Sequence, residues 1–256
     1  YWLERIDSSN RAGFILSPHF QEWSKNPAAG SFWDYVDQKI KTATEKWELK
    51  AQVAKSKGED AEYAKFCAQI NLIKKNVEMC DEEKRKEYLV IPKGGHLELA
   101  QRPGVAFSTK EYETHFSGDG WAIFVAGMKN DIYSFSHSVG EFHHSSFFSG
   151  APVKAAGEIV VNPAGKIVVI SAKSGHYRPD EGNMRKICKH LELSEVLDDA
   201  VVLPVLPSKT APLKFVKVAE FTFKPHAECA EVPAVDVWNK IPPYARSAKF
   251  KAFLKI

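Results

Sequence analysis

The chain has 256 residues, of which 44% are hydrophobic, and this suits one large or two small domains with a buried core. Lysine and arginine number 35 against 32 aspartates and glutamates, which leaves a formal net charge of only +3. Because a nucleic-acid surface needs clustered positive charge, this balance does not indicate one. No DNA- or RNA-binding motif is present either.

The number and spacing of the cysteines and the hydropathy of the chain predict its cellular location. The four cysteines, Cys67, Cys80, Cys188 and Cys229, form no CxxC pair, so we expect reduced thiols. No apolar run approaches the roughly 20 residues that span a bilayer, and no signal peptide follows Tyr1. We therefore expect a soluble, cytoplasmic protein, located in a host cytosol if it is a secreted effector. The missing initiator methionine predicts a piece of a longer protein.

In chain order, an aromatic-rich opening stretch predicts a short helix and a loop, and residues 31–88 then predict a helical hairpin insertion. Apolar residues recur at helical spacing in two stripes, separated by the charged turn SKGED. The stripes are Trp33, Val36, Ile40, Ala43 and Trp47, followed by Tyr63, Phe66, Ile70, Ile73 and Val77. We expect two antiparallel helices with a lysine-rich outer face.

The chain after residue 88 is rich in strand patterns. Short β-branched and aromatic runs such as EYLVIP, WAIFVAG, DIYSFSH and KIVVIS are bounded by turn residues. Turns are expected at residues 128–131 and 162–165, and a helix capped by Asp180 over residues 180–192. The sequence therefore predicts a single domain over residues 1–256 of the α+β class. It would have a mainly antiparallel β-sheet core, the long N-terminal helical hairpin and peripheral helices.

Two polar motifs are candidates for a functional site: EFHHSSFFSG at residues 141–150 and SGHYRP at residues 174–179. Such residues can simply cap strand ends and satisfy buried backbone groups. A serine nucleophile, Ser145 or Ser146, would need a base such as His144, His137 or His176, yet no GxSxG elbow is present. His176 and Tyr177 can face a cleft at a strand-to-helix junction or act as a structural plug.

Metal and cysteine chemistry are less favoured by the sequence. Three ligands would have to converge from His143, His144, His176, Glu158 and Asp180, and no HExxH or spaced HxH motif supports this, so no metal is predicted. Cys188 lies in a predicted helix, where a buried, inert thiol is usual.

One enzymatic alternative is cleavage of the glycosidic bond of NAD. Folds that do this commonly combine an early histidine, a serine- or tyrosine-bearing strand and a glutamate that stabilises an oxocarbenium-like state. His96, Ser145 or Ser146, and Glu158 occur here in that order. An NAD-consuming ADP-ribosyltransferase or glycohydrolase, acting as a toxin or effector, is therefore the alternative, although no GxGxxG or P-loop adds a phosphate-binding signal.

The candidate pocket gathers the polar side chains of these motifs and of the strand between them. Its members are His144, Ser145, Ser146, Glu158, His176 and Tyr177.

Four blocks in this order carry a family resemblance: YWLERID at residues 1–7, GWAIFVAG, FHHSSFFSGAPVKAAGEIVV and SGHYRPDEGNM. Over residues 1–193 the chain resembles the core domain of the plant IQ-motif-containing (IQM) calmodulin-binding proteins and their fungal and bacterial relatives. The resemblance implies calmodulin binding and regulatory protein contacts, and no established active site. The IQxxxRGxxxR motif itself is missing from this sequence.

Two lysine-rich segments are candidates for contact with a partner: residues 47–57 and the basic C-terminal tail at residues 237–256. A basic amphipathic helix is the form that calmodulin targets take. In the tail, Phe250, Phe253 and Leu254 fall on one helical face, and the same pattern fits a terminal helix docked on the sheet. The leading hypothesis is a regulatory or effector-type protein-binding module, with calmodulin as a candidate partner.

Overall fold

The structure is a computed structural model. It describes residues 13–25, 31–73, 76–175, 177–208 and 212–256. The chain forms two compact units, Tyr1–Glu78 and Met79–Ile256. The first is helical and the second is built on a β-sheet with helices around it, which confirms the predicted α+β class.

The described part of the first unit contains helices α1 (Gly13–Trp23), α2 (Phe32–Ser56) and α3 (Asp60–Ile73). The N–H of Trp33 donates to the Ser31 side chain at 3.3 Å, which caps α2. Helices α2 and α3 pack against each other, with the Trp47 and Phe66 ring centroids 5.7 Å apart. The sequence therefore predicts this helix pair correctly. The YWLERID block lies outside the described residues.

The hairpin is shorter than the predicted range of residues 31–88. Helix α3 ends at Ile73, and Asp81 begins a separate short helix by accepting a hydrogen bond from the N–H of Lys84 at 2.8 Å. Residues 82–88 accordingly form a separate short helix and a 3-10 turn within the unit Met79–Ile256. The assignment of residues 1–256 to one domain stays a prediction.

The second unit contains eleven strands in the residues that the structure describes. They are β1 (Leu89–Lys93), β2 (His96–Leu99), β3 (Glu113–Thr114), β4 (Gly118–Asp119), β5 (Ala122–Ala126), β6 (Ile132–Phe135), β7 (Ala155–Val161), β8 (Ile167–Ser171), β9 (Leu197–Leu203), β10 (Phe215–Lys217) and β11 (Glu231–Val232). Its helices are α4 (Glu82–Arg85), α5 (Glu181–Leu193), α6 (Val218–Phe221), α7 (Ala234–Lys240) and α8 (Ala248–Leu254), with 3-10 turns at Lys86–Tyr88, His144–Phe148, His226–Glu228 and Pro243–Ala245.

Nine of these strands form one sheet in the order β11-β10-β9-β8-β7-β5-β6-β1-β2, while β3 and β4 pair separately. All neighbouring pairs in the large sheet are antiparallel except β8 and β9, which are parallel. Helix α5 connects the parallel pair, as a parallel crossover requires. The prediction of a mainly antiparallel sheet is therefore confirmed.

The predicted turns and the predicted helix cap are present. Asn130 adopts a positive φ of 68° in the turn between β5 and β6. The Asn162 side chain accepts from the N–H groups of Ala164 and Lys166, each at 3.0 Å, in the turn between β7 and β8. Asp180 caps α5 by accepting from the N–H of Asn183 at 2.7 Å.

The C-terminal tail packs on the sheet unit. Phe250 and Leu254 of α8 are buried, and the Phe250 ring centroid lies 4.4 Å from that of Trp121. The Trp121 indole N–H donates to the Ala245 carbonyl at 3.0 Å. This apolar face is already used inside the fold, so the interpretation of the tail as an exposed calmodulin target is wrong in this structure.

No helix within the described residues is long and apolar enough to cross a membrane.

We expect Gly157→Ala to destabilise the sheet unit by about 3 kcal/mol. A Cβ at Gly157 would lie only 1.6 Å from the Ser171 carbonyl oxygen and 3.0 Å from the Phe124 ring, so β7 and β8 would have to separate. Urea unfolding monitored by circular dichroism measures the change. The control is Gly182→Ala in α5, whose Cβ would meet only the Asp180 side chain at 3.3 Å and should shift stability by about 1 kcal/mol or less. Equal effects of the two substitutions would contradict the expectation.

Candidate functional site

The EFHHSSFFSG motif folds into the 3-10 helix His144–Phe148. The N–H of His143 donates to the Ser146 hydroxyl at 2.9 Å, and the Ser146 carbonyl accepts from the N–H of Cys80 at 2.8 Å. The helix ends where Ser149 and Gly150 take positive φ angles of 48° and 72°. Ser146 therefore caps the helix and ties down the preceding chain.

His144 fastens this helix to the sheet. Its side chain is 2% exposed, and its Nε2 lies 2.9 Å from the Gly157 carbonyl oxygen in β7. Since a carbonyl can only accept, Nε2 carries the proton and donates it. His144 is thereby positioned next to Glu158, but this nitrogen is committed to a structural contact.

Ser145 is buried, and its hydroxyl has no hydrogen-bond partner among the residues that the structure describes. A nucleophilic serine needs a base within hydrogen-bond reach. Among the described residues, no such base holds Ser145 or Ser146; the Ser146 hydroxyl accepts from the backbone N–H of His143 instead. The geometry gives no support to the serine-hydrolase interpretation.

Glu158 lies at the centre of one face of the sheet and is fully buried. It pairs with Ser171 across β7 and β8 and with Ile123 across β7 and β5. Its neighbours on the same face, Ala156 and Val160, belong to two different apolar clusters. The carboxyl therefore sits where the two clusters meet.

Polar groups surround the Glu158 carboxyl incompletely. The Ser117 hydroxyl donates to Oε2, whereas Oε1 has no hydrogen-bond partner within the described part of the chain. Burial raises the pKa of Glu158, and the Lys173 charge and the Ser117 and Thr114 hydroxyls oppose this only partly. The protonated, neutral form is accordingly favoured over the carboxylate relative to a solvent-exposed glutamate.

Lys173 is the cationic neighbour of Glu158. It lies two residues beyond Ser171, the last residue of β8, and its charge acts on the Glu158 carboxyl. Its Nζ lies 4.3 Å from the ring centroid of Phe253 and 5.2 Å from that of Phe116. Burial lowers the pKa of Lys173, and the nearby Glu158 opposes this shift.

A stack of rings joins this centre to the HSSF helix. Phe116 stacks on His137 at a centroid distance of 5.4 Å and an interplanar angle of 13°. The His137 centroid lies 5.2 Å from that of His143 and 6.2 Å from that of His144. The structure thus brings His144 and Glu158 into one buried polar centre together with side chains from the β3–β4 pair and the C-terminal helix.

The SGHYRP motif is only partly described. The Tyr177 hydroxyl donates to the Ala151 carbonyl at 3.0 Å, and its ring packs on the apolar cluster that contains Phe147. The N–H of Tyr177 donates to the buried Ser174 hydroxyl at 3.3 Å. These contacts fit the structural-plug interpretation of Tyr177. His176 lies outside the described residues.

Two clefts open elsewhere on the sheet unit. One, of about 540 Å³, is lined by Arg102 and Tyr112 among others, and another, of about 220 Å³, by Glu192 and Asp199. Neither cleft is lined by a residue of the predicted pocket. Because the Glu158 carboxyl is 0% exposed, the geometry does not favour its proposed contact with NAD. His96 is committed to a hydrogen bond with Glu98 at 2.9 Å.

The described residues contain no group of three or more histidine, cysteine, aspartate or glutamate side chains arranged to hold a metal ion. Burial raises the pKa of the Cys188 thiol to about 12. The thiol is fully buried, as expected for an inert core cysteine.

Sequence reasoning missed Ser117, Lys173, Phe116 and Phe253. Lys173 lies beyond the end of β8, so strand periodicity in the sequence does not link it to Glu158. Phe253 reaches the centre from the C-terminal helix, and no local pattern predicts such a contact.

The raised pKa of Glu158 predicts a pH dependence of stability. Its ordinary value is near 4.5, so the neutral carboxyl stabilises the fold fully below that pH and loses this contribution as pH rises through the raised value, by up to about 1.4 kcal/mol per pH unit. We expect the Glu158→Gln variant not to show this loss of stability with rising pH, because its side chain does not ionise. Its unfolding free energy, measured in urea at a series of pH values, should rise relative to the unmodified chain above pH 4.5.

The matched control is Glu98→Gln, because the pKa of Glu98 is shifted in the opposite direction to that of Glu158. The Gly104 N–H, and then His96 and Lys93, lower the pKa of Glu98 from 4.5, so the stability that this carboxylate contributes is lost as pH falls through the lowered value. The unfolding free energy of the Glu98→Gln variant should therefore fall relative to that of the unmodified chain as pH rises toward 4.5, and the difference should stay constant above pH 4.5. Parallel profiles for Glu158→Gln and the unmodified chain would contradict the assignment.

Comparisons with known proteins identify the relatives of this chain. A family model described as the IQ motif-containing protein middle domain matches residues 84–184, a range that contains the whole predicted pocket. No solved structure matches the chain.

Curated relatives come from Arabidopsis thaliana. IQ domain-containing protein IQM5 is 29% identical over 206 residues, which are 78% of this chain and 36% of that protein. IQM3 is 28% identical over 72% of this chain and 35% of its own length, and IQM1 is 28% identical over 75% and 34%. The chain thus spans about a third of the length of these relatives. The similarity to the IQ motif-containing protein family is thus carried by the middle-domain match at residues 84–184 and by these relatives.

Proposed function

We propose that this chain is a regulatory protein-binding module and that Ca²⁺-calmodulin binds it through the second half of α2. The observation that carries the proposal is an apolar stripe on this helix that faces solvent. Leu49 is 63% exposed and Val53 is 44% exposed. They lie one helical turn apart and therefore form one continuous strip.

Lysines flank this strip on the same side of α2. Lys46 and Lys57 lie three or four residues from Leu49 or Val53, so they lie on the neighbouring surface. The Lys50 ammonium points instead to the contact between α2 and α3, 4.4 Å from the Trp47 ring centroid and 5.7 Å from that of Phe66. An apolar strip beside positive charge is the pattern that an acidic, methionine-rich groove such as that of Ca²⁺-calmodulin binds.

The opposite side of the same segment is already used inside the hairpin. Ala51 and Ala54 are buried, and Trp47 packs on Phe66 of α3. Leu49 and Val53 are thus available to a partner without unfolding the hairpin. The basic C-terminal tail offers no such surface, because Phe250 and Leu254 are buried.

The burial of the polar centre supports a binding role over a catalytic one. His144, Ser145, Ser146 and Glu158 are each at most 5% exposed, so a substrate would have to displace the covering residues to reach them. The relatives are named as IQ domain-containing proteins, and this lends no support to the NAD-consuming alternative. The cytoplasmic location stays a prediction.

The test is titration of the full chain with calmodulin by calorimetry, in Ca²⁺ and in excess EGTA. We expect binding in Ca²⁺ only, and we expect the double substitution Leu49→Asp with Val53→Asp to weaken it by at least about tenfold, because two apolar anchors are lost and acidic charge is added. Circular dichroism confirms that both helices persist, since both side chains are exposed.

A charge-matched control separates the strip from the overall charge. Gln38→Asp with Ala61→Asp introduces the same two carboxylates at exposed positions on α2 and α3 and should leave the affinity within about twofold. Lack of binding by the unmodified chain, or an equal loss in both double variants, would overturn the proposed site.

A further inference from the structure

The cleft of about 540 Å³ in the sheet unit has the dimensions of a small-molecule site. It lies between the end of β6, the turn after β7 and the connection from β2 to β3. This cleft is separate from the buried polar centre, and no residue of the predicted pocket lines it.

Three aromatic rings form the floor of the cleft. Tyr112 lies between Phe107 and Phe135, with ring centroids 5.5 Å and 5.9 Å away and interplanar angles of 61° and 82°. Phe107 is only 3% exposed and anchors this group in the core. A planar apolar ligand would therefore meet ring edges and faces that are already fixed in position.

The wall beside this floor is held rigidly. The buried Glu98 carboxylate accepts from the N–H of Gly104 at 2.9 Å and from the His96 side chain at 2.9 Å. The N–H of Phe107 donates to the Leu97 carbonyl at 2.6 Å. Because these bonds cross the loop, the cleft exists before any ligand binds, which reduces the entropic cost of binding.

Charged side chains mark the rim. Arg102, Lys110 and Glu111 line the cleft, which gives the rim a net charge of +1 from two cations and one carboxylate. Within the described ranges, neither Arg102 nor Lys110 has an ion-pair partner. Arg102 lines the same cleft as Tyr112 and Phe135 of the aromatic floor.

We propose that this cleft binds a small aromatic monocarboxylate, with the ring on the Phe107, Tyr112 and Phe135 floor and the carboxylate on Arg102. A guanidinium binds a carboxylate through two parallel hydrogen bonds. The single negative charge of a monocarboxylate matches the net rim charge of +1. The Ser136 hydroxyl also lines the cleft; it accepts from the N–H of Glu113 at 3.1 Å, so its own proton can be donated to a polar substituent on the ring.

The experiment is calorimetric titration of the full chain with 2-naphthoate as the probe. We expect saturable one-to-one binding, at least about tenfold tighter than that of the uncharged analogue 2-naphthylmethanol and of inorganic phosphate. Absence of 2-naphthoate binding up to ~5 mM overturns the proposal. Equal affinity for 2-naphthylmethanol would overturn the role of the charged rim in binding the carboxylate. Equal affinity for phosphate would overturn the role of the aromatic floor in binding the ring.

Substitutions locate the bound probe. Arg102→Ala should weaken 2-naphthoate binding at least about tenfold while leaving the weak binding of naphthylmethanol unchanged. Arg102→Lys should restore part of the loss, since charge remains but the paired hydrogen bonds do not. The control Lys189→Ala removes an exposed cation from α5, away from the cleft lining, and should have no effect.

An equal loss in Arg102→Ala and Lys189→Ala, or no loss in Arg102→Ala, would place the probe elsewhere and refute the assignment. Arg102 is exposed, so its substitution leaves the core intact, and the unfolding curve of each variant verifies this. Calmodulin binding through α2 does not enter these measurements, and the two proposals can fail independently.

Discussion

The burial of one carboxyl, that of Glu158, at the centre of the sheet is the constraint on which the surrounding structure depends. An isolated buried charge is costly, so the group must be neutral or have polar neighbours. Ser117 and Lys173 provide such neighbours, and Lys173 in turn needs cover, which Phe116 and Phe253 supply. Through Lys173 and Phe253, the buried carboxyl in β7 is linked to the C-terminal helix α8, which Phe250 and Leu254 dock on the sheet unit.

This arrangement separates the interior of the protein from its contact surfaces. The HSSF helix is committed to the interior, because Ser146 caps its backbone and His144 donates to the Gly157 carbonyl. Exposed chemistry lies elsewhere: an apolar strip beside lysines on α2, and an aromatic cleft with a cationic rim in the sheet unit. Motifs that look catalytic as a sequence can thus serve to close a core, while binding surfaces arise from less conspicuous residues.

Local patterns predicted the elements well, and tertiary contacts decided the rest. The cap at Asp180 and the turn at Asn162 are encoded within a few residues, so the sequence alone identifies them. The spacing of Phe250 and Leu254 fits both a docked helix and a calmodulin target, and only the contact with Trp121, distant in sequence, distinguishes the two. The predicted range of the hairpin was too long because Val77 continues the apolar period of the second helix. In the structure, the cap at Asp81 starts another helix.

The two buried glutamates explain why burial alone does not identify a functional carboxyl. Glu98 receives an N–H from Gly104 and a ring nitrogen from His96, with Lys93 at 3.6 Å, so its pKa is lowered and it stays ionised. The Glu158 carboxyl accepts a hydrogen bond from the Ser117 hydroxyl on one oxygen, and its cationic neighbour Lys173 is itself buried. Burial therefore raises its pKa. At Glu158 burial raises the pKa more than the polar neighbours lower it, whereas at Glu98 the hydrogen-bond donors outweigh burial. A fully satisfied carboxylate stiffens its loop, and here that loop shapes the cleft, whereas the incompletely satisfied one is the group whose protonation changes at the centre of the fold.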